Sequence, residues 1–387
     1  MYINLVIFHP PCIDYNVSKE IMSQYDFLKN AKYIFEKNNI NLIYFYDLLP
    51  QEQAKKYYDI AENFKYTNDE LIDIFYNVDL VYLKNKIDNE YNDAIIHYFE
   101  SGQYLNIINK NKCIFSIYDP HSWNKLKNIK NFNIQNVEHH NINNHHILNR
   151  IDLILTSSAK YFYNINSEYT NKCEFIPFSY NANNLKIFEL QDFDNYFNRE
   201  RKILMSGSFG VYTHRKVITC IKKNREQVYL QNNVINLEQI EEFSNIIQIM
   251  SYEKYNRTNT KYNEERGIRY LRTLSKYMGA FMCFGDFPLD FHLCKLWEIM
   301  LSGCLAFIEP KEMLKTDLGL IPYEHYVPIL IDENNKLIID MNYYNKYLGT
   351  ENGLKIAKQG FEFIRDNFTD EMVAEKYCEI LKKKKFV

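Results

Sequence analysis

Residues 281–309 read FMCFGDFPLDFHLCKLWEIMLSGCLAFIE, from Phe281 to Glu309. The opening apolar residues read as the end of a buried strand, and the glycine, aspartate and proline that follow read as a loop. An amphipathic helix begins around Phe291 to Cys294. Gly303 stops it, and Leu305 to Ile308 starts a second buried strand. Two carboxylates punctuate the block: Asp290 in the loop, and Glu298 eight positions later on the helix. Acids at a strand's carboxyl end and on the next helix can face one ligand. Ligands of open α/β sheets sit in that crevice.

The same alternation extends in both directions. Toward the N-terminus, Tyr2–Phe8, Asn41–Tyr46, Asp79–Leu83, Cys113–Tyr118, Asp152–Thr156 and Cys173–Pro177 read as strands. Lys19–Asn38, Glu52–Lys65, Tyr91–Ile108 and Ser157–Ile165 read as helices. A polar, charged stretch near Leu185–Arg201 interrupts the pattern. It restarts with strands at Lys202–Ser206 and Ile246–Met250 and helices at Lys216–Lys223 and Ile268–Tyr277. Tyr343–Phe368 and Asp370–Lys384 read as two closing helices. The expected class is α/β, with mainly parallel sheets in two Rossmann-like domains facing a central cleft. The boundaries expected are 1–185 for the first domain, 186–200 for a connector, 201–360 for the second domain and 361–387 for a terminal helix.

Composition narrows the classes. The 387 residues suffice for about two domains. A hydrophobic share of 46% and a charged share of 25% are those of a globular chain. The net charge of -3 lacks the basic footprint of a general nucleic-acid binder. The lysine run Lys382–Lys385 reads as a solvated helix end. Eight cysteines are scattered without a Cys-x-x-Cys pair, which fits buried thiols in a reducing compartment rather than disulfides or zinc. The segment MYINLVIFHPP lacks a basic leader region and reads as a first strand, and no apolar run reaches membrane-spanning length. The expected location is cytoplasmic.

Several further residues could carry chemistry. Met205–Lys216, MSGSFGVYTHRK, reads as a strand running into a Gly-Ser loop and then a helix. The backbone of Ser206, Gly207 and Ser208 can approach a phosphate closely. Arg215 or Lys216 can neutralise a departing diphosphate. Helix-start N–H groups near His292, with Lys295 close by, favour an anion. Glu298 can accept hydrogen bonds from two vicinal hydroxyls, as on a ribose. Asp290 could act beside it, or could cap the helix. In the first half, Asp119 and His121 follow a strand end, where either could orient or deprotonate an acceptor hydroxyl. The alternative there is a proline turn. His9 follows the first strand in a similar way. The run Glu138–His146, rich in His and Asn, lacks metal-ligand spacing and reads as a polar loop. Asp192-Phe193-Asp194 lies in the polar stretch rather than after an apolar strand, so a metal-binding reading is set aside. No metal ligands are assigned.

Asp290-x7-Glu298, followed by Ser302-Gly303 and an apolar run, resembles the E-x7-E region of retaining GT-B glycosyltransferases. The Ser-Gly-Ser…Arg segment at 206–215 resembles the CgeB-like, spore-maturation branch of these enzymes. Asp290 stands where the usual residue is glutamate, and Leu305 where proline is common. The resemblance implies a GT-B fold whose last helix returns to the N-terminal domain. It implies a sugar transferred with retention from a nucleoside diphosphate sugar, UDP- or GDP-linked, to a glycan, protein or lipid-linked acceptor. By the same resemblance Glu298 holds the ribose and Asp290 contacts the donor sugar, with no obligatory metal and no tightly bound cofactor. Two alternatives remain open at this point: an inactive binding or assembly module on the same scaffold, and an enzyme that modifies the sugar nucleotide without transferring it.

Overall fold

The computed structural model describes residues 2–8, 22–23, 27–55, 80–99, 111–117, 145–160, 162, 166–183, 192–207, 237–251, 267–284, 294–332 and 337–387. The chain divides into two compact units. One comprises residues 1–19, 23–181 and 368–387, and the other residues 20–22 and 182–367.

The first unit carries a six-stranded, wholly parallel sheet. Its strands are β1 (Ile3–Phe8), β2 (Ile40–Tyr44), β3 (Ile95–Phe99), β4 (Cys113–Ile117), β5 (Leu153–Thr156) and β6 (Cys173–Phe175), in the order β2-β1-β3-β4-β5-β6. Both faces are covered, so the strands are mostly apolar. Val6 and Phe8 pack toward Phe45, Tyr98 and Phe115. Leu5 and Ile7 point the other way, toward Phe27, Phe35 and Tyr377. That alternation is the two-residue period of a strand.

Two expectations are overturned here. Asp79–Leu83 is not a strand: Leu80–Glu90 forms a helix, α2, following α1 (Lys32–Lys37). Leu83 and Ile87 bury one stripe of α2, while Lys86 pairs with Glu90 one turn along the exposed side. The expected helix at Tyr91–Ile108 contains strand β3 instead. Ile95 to Tyr98 are all buried, and a short buried apolar run carries no period that separates strand from helix. Position decided it: β3 lies between β1 and β4.

The second unit carries a five-stranded parallel sheet, ordered β8-β7-β9-β10-β11. Its strands are β7 (Glu200–Gly207), β8 (Ile247–Ser251), β9 (Tyr277–Met282), β10 (Leu305–Ile308) and β11 (Val327–Pro328). Its helices include α3 (Leu237–Ile246), α4 (Gly267–Leu274), α5 (Cys294–Leu301) and α6 (Glu351–Asn367). Phe243, Phe281, Phe307 and Tyr344 form an aromatic cluster on one face of the sheet, with ring centroids 5.0–6.1 Å apart. The expected single helix at Tyr343–Phe368 is broken in two. Met341–Asn345 and α6 are separated by a turn in which Gly349 adopts φ +74°.

A final helix, α7 (Asp370–Lys383), belongs to the first unit. Thr369 caps it by accepting from the Met372 N–H, and Val373, Tyr377 and Leu381 bury one face. His97 of β3 links this helix to the sheet. Its Nε2 lies 2.7 Å from Ser116 Oγ and its Nδ1 lies 2.9 Å from Tyr377 Oη, all buried. A buried imidazole needs such partners, since an unmet polar atom there costs about 1–3 kcal/mol. Among the described residues no helix is long and apolar enough to cross a membrane.

Candidate functional site

The second sheet places its chemistry at one edge. β7 and β9 are neighbours in space but not in sequence, so strand order reverses beside them. Such a switch point opens a crevice at the carboxyl ends of the strands. Ile203 pairs with Gly279 and Leu204 with Ala280, so Ser206 and Gly207 run toward the same edge as Met282 and Cys283. Met282 pairs with Ile308 on the other side, which brings Glu309 to that edge as well.

Helix α5 follows β9 across residues 285–293. It buries Leu296, Trp297, Ile299, Met300 and Leu301, leaving Lys295 and Glu298 half-buried one turn apart near its start. Burial pushes the Glu298 carboxyl up from its ordinary range, and nearby Lys295 only partly offsets this. Burial also pulls the Lys295 ammonium down, with Glu298 and Cys283 opposing the shift. Burial raises the Cys294 thiol, and Glu298 adds to the effect. The result is an acid and a base three residues apart on α5, each shifted toward its neutral form by burial. Ionisations perturbed in this way are common at functional sites.

The far end of α5 is held firmly. Gly303 adopts φ +70° and lets the chain turn directly into β10. Arg199 Nη1 donates to the carbonyls of Ser302 and Gly303 at 3.3 and 2.9 Å, and its Nη2 donates to Asp192 O at 3.3 Å. Its guanidinium carbon also stands 5.4 Å from the centroid of the Tyr196 ring. A cation on the carbonyls of a helix end is favourable. Arg199→Ala is expected to lower stability by about 2 kcal/mol, the loss of charge-assisted bonds at a half-exposed site. Urea unfolding checks it, and an unchanged midpoint would refute the role of this clamp.

The other expected residues divide clearly. Ser206 and Gly207 lie at the end of β7. Lys295 and Glu298 share α5. Asp119, His121, Ser208, Arg215, Lys216, Asp290 and His292 lie outside the described residues, as does His9. Asp192 forms a turn: its carboxylate accepts from the backbone and side-chain N–H groups of Asn195, which hold its carboxyl low. Among the described residues no group of three or more His, Cys, Asp or Glu converges as a metal site would. The six described cysteines form no disulfide.

Sequence reasoning passed over Glu309 and Arg199. Glu309 is 1% exposed; its Oε2 accepts from the Phe284 N–H at 2.9 Å, and its Oε1 lies 3.4 Å from Lys311 Nζ. One signal could have found it: a carboxylate directly after a fully apolar strand. Arg199 gave no comparable signal, because the helix-end carbonyls it binds, those of Ser302 and Gly303, lie about a hundred residues away.

No protein-family model matches the chain, and no curated protein matches it. Among solved structures, the chain is similar to a glycosyltransferase from Rickettsia africae ESF-5. They share 12% identity at a TM-score of 0.52, and the match covers 99% of this chain and 98% of that one. It is also similar to a sucrose-phosphate synthase from Thermosynechococcus elongatus, with 11% identity, 99% of each chain covered and a TM-score of 0.52. At such identities the likeness is one of fold: an α/β chain of two Rossmann-like domains, of the GT-B type.

Proposed function

We propose that the chain is a glycosyltransferase that moves a sugar from a nucleoside diphosphate sugar to an acceptor. The observation that carries this reading is the switch point of the second sheet, where β7 delivers Ser206 and Gly207 and neighbouring β9 leads on to α5, which carries Lys295 and Glu298. The full-length likeness of fold to a glycosyltransferase and a sucrose-phosphate synthase supports it. In this reading the second domain takes the donor, UDP- or GDP-linked, and the first takes a glycan, protein or lipid-linked acceptor.

The roles follow from chemistry. Glu298 accepts from the two ribose hydroxyls. Ser206, Gly207 and Ser208 offer backbone to the phosphates. Lys295, Arg215, Lys216 and His292 balance the diphosphate charge in place of a metal ion. Asp290 contacts the donor sugar, and Asp119 or His121 orients the acceptor hydroxyl. Cleavage passes through an oxocarbenium-like state, so stabilising the leaving diphosphate is the main catalytic device. The likeness to the E-x7-E pattern favours retention.

A thermal-shift panel of UDP-, GDP-, ADP- and dTDP-sugars tests this reading, with Glu298→Ala run beside the wild type. A ligand at about 100 times its dissociation constant stabilises the native state by about 2.7 kcal/mol. A shift with one nucleotide class that vanishes in the variant is expected. No shift with any of them sinks the reading. Donor affinity is further expected to peak near neutral pH. It falls on the acid side as the raised Glu298 carboxyl takes a proton. It falls on the alkaline side as the lowered Lys295 ammonium loses one. Titration calorimetry from pH 5.5 to about 9 reads this bell, and a flat profile would remove both groups from the site.

A further inference from the structure

Glu309 is the most deeply buried carboxylate among the described residues at the edge where the reading above puts the donor, at 1% exposure. Burying a carboxylate is costly unless hydrogen bonds and an opposite charge compensate. Here Lys311, itself 17% exposed, supplies the charge, and the Phe284 N–H supplies the bond.

The bond extends the sheet. The β9–β10 ladder has its last paired residues at Met282 and Ile308, and the Glu309 N–H still donates to Met282 O at 2.9 Å. Beyond that point the Glu309 side chain takes over, accepting from Phe284 two residues past the end of β9. Residue 309 therefore grips the departing chain with both its backbone and its carboxylate. Cys283 and Phe284 continue β9 beside the end of β7, since Leu204 pairs with Ala280 and Ser206 and Gly207 lie two and three residues further on. The chain that leaves β9 beside Ser206 and Gly207 is thus held by a carboxylate just past the neighbouring strand.

We infer that Glu309 is a positioning residue of the nucleotide site: it pins the main chain at Phe284 and thereby fixes the carboxyl end of β9 beside Ser206 and Gly207, without touching the ligand. This rests on the donor-site reading above. It goes beyond that reading in placing a determinant of affinity just past β10, outside the residues that meet the ligand.

The test uses the full chain, with UDP and GDP as probes in titration calorimetry at 25 °C. Hydrogen exchange is followed on the peptide containing Phe284. Glu309→Ala is expected to speed exchange at Phe284 at least tenfold and to raise the nucleotide dissociation constant at least tenfold. Glu309→Gln keeps an acceptor for that amide and should stay within threefold of wild type. If Glu309→Ala does not fold, Glu309→Asp, one methylene shorter, carries the same expectation. A folded Glu309→Ala or Glu309→Asp with wild-type nucleotide affinity and only a lowered Tm would overturn the inference and leave a purely structural strand cap. If the wild type binds neither nucleotide while Glu309→Ala still loses protection at Phe284, the donor reading has failed. The positioning role then falls with it, and the pin alone remains.

Discussion

Gly353→Ala lowers the stability of the second unit by about 3 kcal/mol, a fall of about 6–12 °C in its melting step. Gly353 lies in α6, where a Cβ would come within 1.9 Å of the Tyr347 carbonyl oxygen and 3.2 Å of Leu305 Cδ2. The first contact is with backbone, which cannot swing aside as a side chain can. The Tyr347 carbonyl is also held in place, accepting from the Thr350 hydroxyl at 3.0 Å. Gly360, two turns on, is similarly confined, since a Cβ there would stand 2.3 Å from the His325 carbonyl oxygen. The two glycines let α6 lie directly on neighbouring backbone, so helix propensity, which favours alanine by about 1 kcal/mol, loses to sterics. Gly319→Ala is the control. Its Cβ would meet only Phe363 at 3.5 Å, leaving the strain of φ +78°, about 1–2 kcal/mol. Equal effects at 353 and 319 would show that α6 can shift.

Glu298→Gln should separate stability from binding. The folded protein raises this carboxyl above its unfolded value, so the native state binds the proton more tightly. The group therefore subtracts stability as pH rises through the range between the unfolded and folded values, and the loss is complete above the folded one. Removing the charge should leave the ligand-free Tm at pH 8 equal to or above wild type. Nucleotide affinity should move the opposite way. Two charge-assisted bonds to vicinal hydroxyls are worth about 1.5–3 kcal/mol each, and an amide oxygen recovers part of that. A loss of about 10- to 100-fold is expected for Glu298→Gln, and more for Glu298→Ala. Calorimetry and a melting curve on the same sample decide it. A variant that is both less stable and binds normally would make Glu298 a structural residue. A site group that costs stability is the usual trade-off between folding and function.

Part of this was legible in residues 281–309. The apolar runs before Phe284 and after Cys304 read as buried strands because glycines at 285 and 303 bound them, and Gly303 reads as the helix stop. The structure returned β9, α5 and β10 accordingly. That block needs no distant partner, because each signal is local. Failures came where a short segment had no period of its own. Residues 95–98 are all buried and show no alternation of apolar and polar positions, and residues 80–83 start a helix whose charged pairs lie further along, at 84–90.

The sequence by itself determined the alternation of strands and helices, the two-fold restart and the helix that carries Lys295 and Glu298, because spacing and turn residues act within a few positions. Only the tertiary structure decided strand order, and with it the reversal beside β7 and β9 that gathers Gly207, Cys283 and Glu309 at one edge. It alone gave Arg199 the carbonyls of Ser302 and Gly303, and Glu309 the amide of Phe284. It also set the ionisations, since desolvation depends on what packs around a side chain and not on its neighbours in sequence.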